Sequence, residues 1–140
     1  MKNLTGKLYI IVIVAAVIAG VIGWMQWFED DPADSGHGDS ALVIPALSAK
    51  AAMGAELFEQ KCMACHGQNA AGSDQGPPLV HRIYEPNHHG DIAFRLAAQQ
   101  GVRAHHWDFG NMPPVEDVSE DEVVMITRYV RELQKANGIY

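Results

Sequence analysis

The stretch "KCMACHG", residues 61–67, constrains this 140-residue chain more than any other. It holds both cysteines of the sequence, Cys62 and Cys65, with His66 directly behind the second. Three chemistries use a Cys-x-x-Cys-His block: thiol redox, zinc binding and covalent haem attachment. Each asks for a different fold around the block, so the rest of the sequence selects among them.

From Leu8 to Phe28, "LYIIVIVAAVIAGVIGWMQWF", no residue is charged and only Gln26 is strongly polar. As a helix this run would be about 31 Å long at about 1.5 Å per residue, enough to cross a hydrocarbon core of about 30 Å. Lys2 and Lys7 precede it, and Glu29, Asp30, Asp31 and Asp34 follow. That asymmetry keeps the N-terminus in the cytoplasm and exports the remainder. Trp24, Trp27 and Phe28 gather at the far end, where aromatic rings favour the membrane interface. Residues 1–28 are therefore expected to form one uncleaved N-terminal transmembrane anchor, with the helix over about 8–28. The competing reading is a signal peptide cut after "VIA" at Gly20, but apolar signal cores usually run roughly 7–15 residues. Export bears on the cysteines, because an oxidising compartment turns two spare thiols into a disulfide unless another group claims them.

Residues 29–47, "EDDPADSGHGDSALVIPAL", begin acidic and rich in Gly, Ser, Asp and Pro, and read as a flexible tether. Residues 48–140 read as an all-α domain with long loops. Ser48 is placed to cap a helix running through "AKAAMGAELFEQKCMACH", with Ala51, Ala55, Phe58 and Cys62 on one face. A short helix is expected over about Asp91 to Gln100. Ser119 and Glu122 form a capping box before a last helix with Val123, Ile126, Val130 and Leu133 at helical spacing. Lys135 near its end and Gly138 beyond it suit a helix C-terminus. The domain has few large apolar residues, and thin loop-rich cores of this size usually need a staple or a cofactor.

On a helix, Cys62, Cys65 and His66 project from one face. Two thiols one turn apart can bond the two vinyl groups on one porphyrin edge, with the adjacent histidine turned to the iron. A thioredoxin-like site would need a strand before the block and a βαβ setting, and neither is visible. Zinc would need two further ligands from His81, His88, His89, His105 and His106, and stays open. A haem would also want a ligand from its opposite face. Met112 in "FGNMPP", held between Gly110 and the pair Pro113 and Pro114, is placed for that rather than for helix packing. Met53 and Met125 lie in helical patterns and read as core, and Met63 sits between the cysteines.

Across residues 48–140 the chain resembles the class I c-type cytochromes, through "GAELFEQKCMACHG", "GPPL", "GNMPP" and a final helix containing "RYVRELQ". The resemblance implies the small helical haem fold of that family and one covalently bound haem c, attached to Cys62 and Cys65. It implies His66 and Met112 as the axial iron ligands. It also implies that the carbonyl of Pro77, after Gly76, accepts the second N–H of His66, with Leu79 lining the haem pocket. Gly54 and Tyr129 match the positions where the first and last helices of that family cross. With the anchor, the chain is similar to tethered bacterial electron carriers. The resemblance implies an inner-membrane protein whose haem domain faces the periplasm. Its expected partners are a quinol-oxidising complex or dehydrogenase on one side and a terminal oxidase or reductase on the other. With both axial positions filled, catalysis at the iron is not expected. The alternatives are a fixed haem subunit of a larger oxidoreductase, or a haem or metal sensor or chaperone.

Two histidine pairs, His88–His89 and His105–His106, exceed what the family pattern asks for. Read plainly, His88 and His89 flank a helix start, and His105, His106 and Trp107 lie along the haem edge. Read more sharply, they form a second metal site for copper or zinc. Arg82, His81, Arg103 and Trp107 are candidates to bond the haem propionates. Residues 48–140 carry eight Lys and Arg against twelve Asp and Glu, a net charge of −4. No basic patch suggests nucleic acid, and an acidic domain is steered to a basic surface on its partner.

Overall fold

The computed structural model describes residues 13–21 and 42–140. These fall in two units, Met1–Ser40 and Ala41–Tyr140, each described by itself. In the first, residues 13–21 are helical (α1) and exposed throughout, including Ile13, Val14, Val17, Ile18 and Val21. Among the described residues no helix is long and apolar enough to cross a membrane. Most of the expected span 8–28, and residues 29–41 of the expected tether 29–47, lie outside the described residues.

The second unit is built on the crossing of two helices, α2 (Ala49–Lys61) and α5 (Glu120–Ala136). Between them come the short α3 (Met63–His66), two 3-10 turns (Gln68–Ala70 and Arg82–Tyr84) and α4 (Asp91–Gln100). No strand is formed among the described residues; the one extended pairing is an isolated antiparallel bridge between Val102 and Met112. The helix signals are local, and the helices start where those signals lie. The Ser48 side chain accepts from the Ala51 N–H. Ser119 and Glu122 form a complete capping box, and Gly138 with φ 77° follows the end of α5.

Gly54 is buried where α2 meets α5, and a methyl there would overlap the Met125 carbonyl. The missing side chain lets the two backbones approach. One turn on, the Phe58 and Tyr129 rings pack at 5.5 Å between centroids, tilted by 59°. Val123, Ile126, Val130 and Leu133 are all buried, as their spacing requires. Ahead of α2, Asn137 bonds both backbone groups of Val43, and Glu132 accepts from the Ser48 N–H and hydroxyl.

Two expectations are corrected. The first helix is not continuous through His66: it breaks at Cys62, where φ −126° and ψ −31° leave the helical region. The block instead forms its own turn, with Cys65 and His66 N–H groups both donating to the Cys62 carbonyl. Met53 is 55% exposed, because it projects from the side of α2 opposite Ala51 and Gly54, and so is not core.

Candidate functional site

After the break at Cys62 the cysteine block faces a cavity of about 240 Å³ beside the α2–α5 core. Cys62, Cys65, His66, Leu79 and Met112 all line it, with Phe94 and Ala97 from α4 and Ile126 from α5. A second cavity, of about 360 Å³, shares Leu79, Phe94, Ala97 and Met112 with the first and adds Pro77 and Trp107. Both fall in or near the size range of sites that enclose a cofactor. Their walls are largely carbon, which excludes water from anything held between them.

Three elements supply the chemistry. The turn after α2 supplies Cys62, Cys65 and His66. Segment 76–79 passes close to it: Gly76 is buried, and a methyl there would meet the Cys65 carbonyl oxygen at 2.9 Å. That approach brings the Pro77 carbonyl to 2.9 Å from Nδ1 of His66. A carbonyl only accepts, so Nδ1 carries the proton and Nε2 keeps its lone pair. Burial lowers the proton affinity of the His66 ring below the ordinary histidine range, and the Pro77 carbonyl offsets this in part. The result is a neutral, oriented imidazole, the form a metal requires. The third element is the loop after α4. Its bridge fixes Met112 by two backbone bonds of 2.9 Å to Val102.

Burial, and then the neighbouring Cys65, push the Cys62 thiol up to about 11. A redox-active cysteine needs the opposite shift, toward thiolate. Among the described residues, the one group of three metal-ligating side chains close enough to share an ion is His88, His89 and His106. It contains neither cysteine, so the zinc arrangement that would use Cys62 and Cys65 is not formed.

The site fits a haem by its donors and by one orphaned atom. The Trp107 indole N–H is buried near the Tyr84 hydroxyl but makes no hydrogen bond of full geometry among the described residues, and Trp107 lines the larger cavity. A propionate at a haem edge would satisfy it. His81, Arg82 and Arg103, the other candidates for that role, do not line the cavity.

Two supporting residues carry no signal that reading along the chain would find. Gln134 is buried in α5, and its Nε2 donates to the Leu79 carbonyl at 2.8 Å and the Tyr84 carbonyl at 3.0 Å. Arg131 lies over the Phe94 ring at 4.9 Å. It bonds Asp91, the Tyr84 and His89 carbonyls and Gln134. Both residues hold the wall segments Leu79–Tyr84 and His89–Phe94 against α5. Phe94 itself was legible as the apolar face of "DIAFRLAAQQ" but not as a wall of the site.

No curated protein and no solved structure matches the chain. The family model described as cytochrome c matches residues 51–134, more than half of the chain and all of the elements just described from α2 to Gln134. The chain therefore belongs to the cytochrome c family, electron-transfer proteins with covalently attached haem c.

Proposed function

We propose that this protein is a membrane-tethered monohaem cytochrome that carries single electrons between redox partners on the exported face of a bacterial inner membrane. In this reading Cys62 and Cys65 hold the haem covalently, and His66 and Met112 ligate its iron. The observation that carries it is the shared cavity. A methionine from a distant loop lines the same walls as the Cys-x-x-Cys-His turn, whose histidine is kept neutral by burial and oriented by Pro77.

Bound there, the haem supplies one-electron chemistry at iron. The chain's own residues set the conditions. His66 offers Nε2 because Pro77 occupies Nδ1. Met112 offers a thioether, which raises the reduction potential relative to a second histidine. Leu79, Phe94 and Ile126 exclude water, so little solvent reorganises as charge changes. Two protein ligands leave no coordination position for a substrate, which makes the protein a carrier.

The apolar, exposed face of residues 13–21 and the uncharged run 8–28 support the tether. A tether would hold the domain near membrane partners and raise its effective concentration there. The partners that fit are a quinol-oxidising complex or dehydrogenase as donor and a terminal oxidase or reductase as acceptor. The acidic domain surface favours a basic docking face on each.

The test is a haem-stained gel of membranes from a haem-c-competent host, before and after an alkaline carbonate wash. The full chain should keep its haem under denaturing conditions and stay with the washed membranes. A protease site inserted in 29–41 should then release a soluble haem-stained fragment. Loss of the stain on denaturation would contradict covalent attachment, and loss of the protein in the wash would contradict the anchor.

A further inference from the structure

His88 and His89 lie seventeen residues before His105 and His106 in the chain, yet the two pairs converge. Ring centroids are 4.6 Å apart for His88 and His89, 5.4 Å for His88 and His106, and 5.3 Å for His89 and His106. His105 packs against His106 at 4.2 Å between centroids, tilted by 49°. One nitrogen from each of His88, His89 and His106 lies within 4.8 Å of the other two.

Solvated histidines have no reason to gather in this way. The His106 ring is held below the ordinary histidine range, by desolvation first and then by His105, His89 and His88. The packing therefore favours the neutral, metal-binding form of the His106 imidazole.

The supports of the cluster are also those of a ligand set. Nδ1 of His89 lies 2.6 Å from the Ile83 carbonyl, and Nδ1 of His105 lies 2.8 Å from that of Arg103. In each ring this commits the proton to Nδ1 and leaves Nε2 free, as second-shell carbonyls do for metal-bound histidines. The His88 and His89 N–H groups both donate to the Glu85 carbonyl. On the other side, the Ala104 N–H donates to Asn111. Both segments are thus fixed before any ion arrives. His88 and His106 are exposed, so their rings are free to turn the small amount that closes the nitrogens around an ion.

We propose that His88, His89 and His106 form a second metal site, for a divalent first-row transition ion bound through three neutral imidazoles at the rim of the larger cavity. Imidazole suits copper and zinc, and the affinity order of the divalent ions puts Cu²⁺ ahead of Zn²⁺. His105 packs beside His106, outside this set of three. The site uses none of Cys62, Cys65, His66 and Met112, so it is compatible with the haem ligation proposed above.

The test uses the full chain, purified with its haem and stripped of loose metal by a chelator. Cu²⁺ or Zn²⁺ is added, excess is removed, and retained metal is counted by elemental analysis. The Cu²⁺ form is then examined by electron paramagnetic resonance. One Cu²⁺ per chain with nitrogen ligation is expected, displacing Zn²⁺ from the same site. His88→Ala and His106→Ala should each weaken binding at least about 10-fold. The His88→Ala variant, whose side chain does not line the larger cavity, should match the parent in visible haem spectrum and melting temperature, which separates lost ligation from lost folding. The proposal is overturned if no ion is retained, or if the His88→Ala/His106→Ala double variant binds as tightly as the parent.

Discussion

Nδ1 of His66 lies 2.9 Å from the carbonyl oxygen of Pro77, eleven residues further along the chain. The contact depends on the close passage of Gly76 past the Cys65 backbone. It ties the orientation of the only histidine in the cysteine block to a segment that also supplies Leu79 to the cavity wall.

Replacing Gly76 by Ala should push segment 76–77 away from the block, because the methyl meets the Cys65 oxygen at 2.9 Å and its Cβ at 3.3 Å. A longer bond to Pro77 makes His66 a weaker donor. The oxidised state then loses more stabilisation than the reduced one, so the reduction potential should rise. Redox titration of Gly76→Ala checks this, and an unchanged or lower potential would count against the role of Pro77.

Gly54→Ala should destabilise the domain by at least about 3 kcal/mol, since the methyl overlaps the Met125 carbonyl and only a backbone shift relieves it. Gly110→Ala is the contrast: nothing lies within 4 Å, and only its φ of 88° resists a side chain. That change should cost about 1 kcal/mol. Denaturant unfolding of the two variants should rank them in this order.

Gln134→Leu keeps the volume of a buried side chain but removes the donor to the Leu79 carbonyl. A buried acceptor left without its partner costs about 1–3 kcal/mol. Arg131 also loses one of its four partners. Unfolding should become easier by that amount, with Leu79 loosened at the cavity wall, and a shift in the haem absorption of the folded protein should accompany it.

Acid should weaken the fold through two carboxylates. The Ser119 backbone N–H and then its hydroxyl hold Glu122 below the ordinary carboxylate range. The Ser48 N–H, its hydroxyl and Arg128 do the same for Glu132 against an opposing desolvation. Lowered values mean stability that is complete above the unfolded value, near 4.5, and lost as pH falls through the folded ones. Melting temperatures measured from pH 6 to pH 3 should fall below about pH 4.5. Glu122→Gln and Glu132→Gln should melt lower at pH 6 and show a shallower fall.

What could be read from the sequence was local. The Ser119–Glu122 box, the buried face of α5 and the span Asp91–Gln100 each rest on residues a few positions apart, and all are found. The passage of Gly54 against α5 was legible too, through the family resemblance. The break at Cys62 was not, because helical spacing continues smoothly across it while the turn is held by contacts with segment 72–80. Gln134 and Arg131 read as ordinary polar positions, since their partners lie forty or more residues away. The two histidine pairs were visible as pairs. Their convergence depends on how the turn after Tyr84 meets the loop after Gln100, and nothing in either segment alone announces it.

The most direct measurement is an optical spectrum of the protein purified from membranes of a haem-c-competent host, oxidised and then reduced. If Cys62, Cys65, His66 and Met112 act as proposed, the reduced form gives the sharp bands of a low-spin c-type haem. The oxidised form shows the weak red methionine-to-iron band, and Met112→Ala abolishes that band while the covalent haem stays. A low-spin haem without the band in the parent protein would contradict Met112 as a ligand and turn attention to His105 and His106. A protein that binds no haem at all would contradict the central claim.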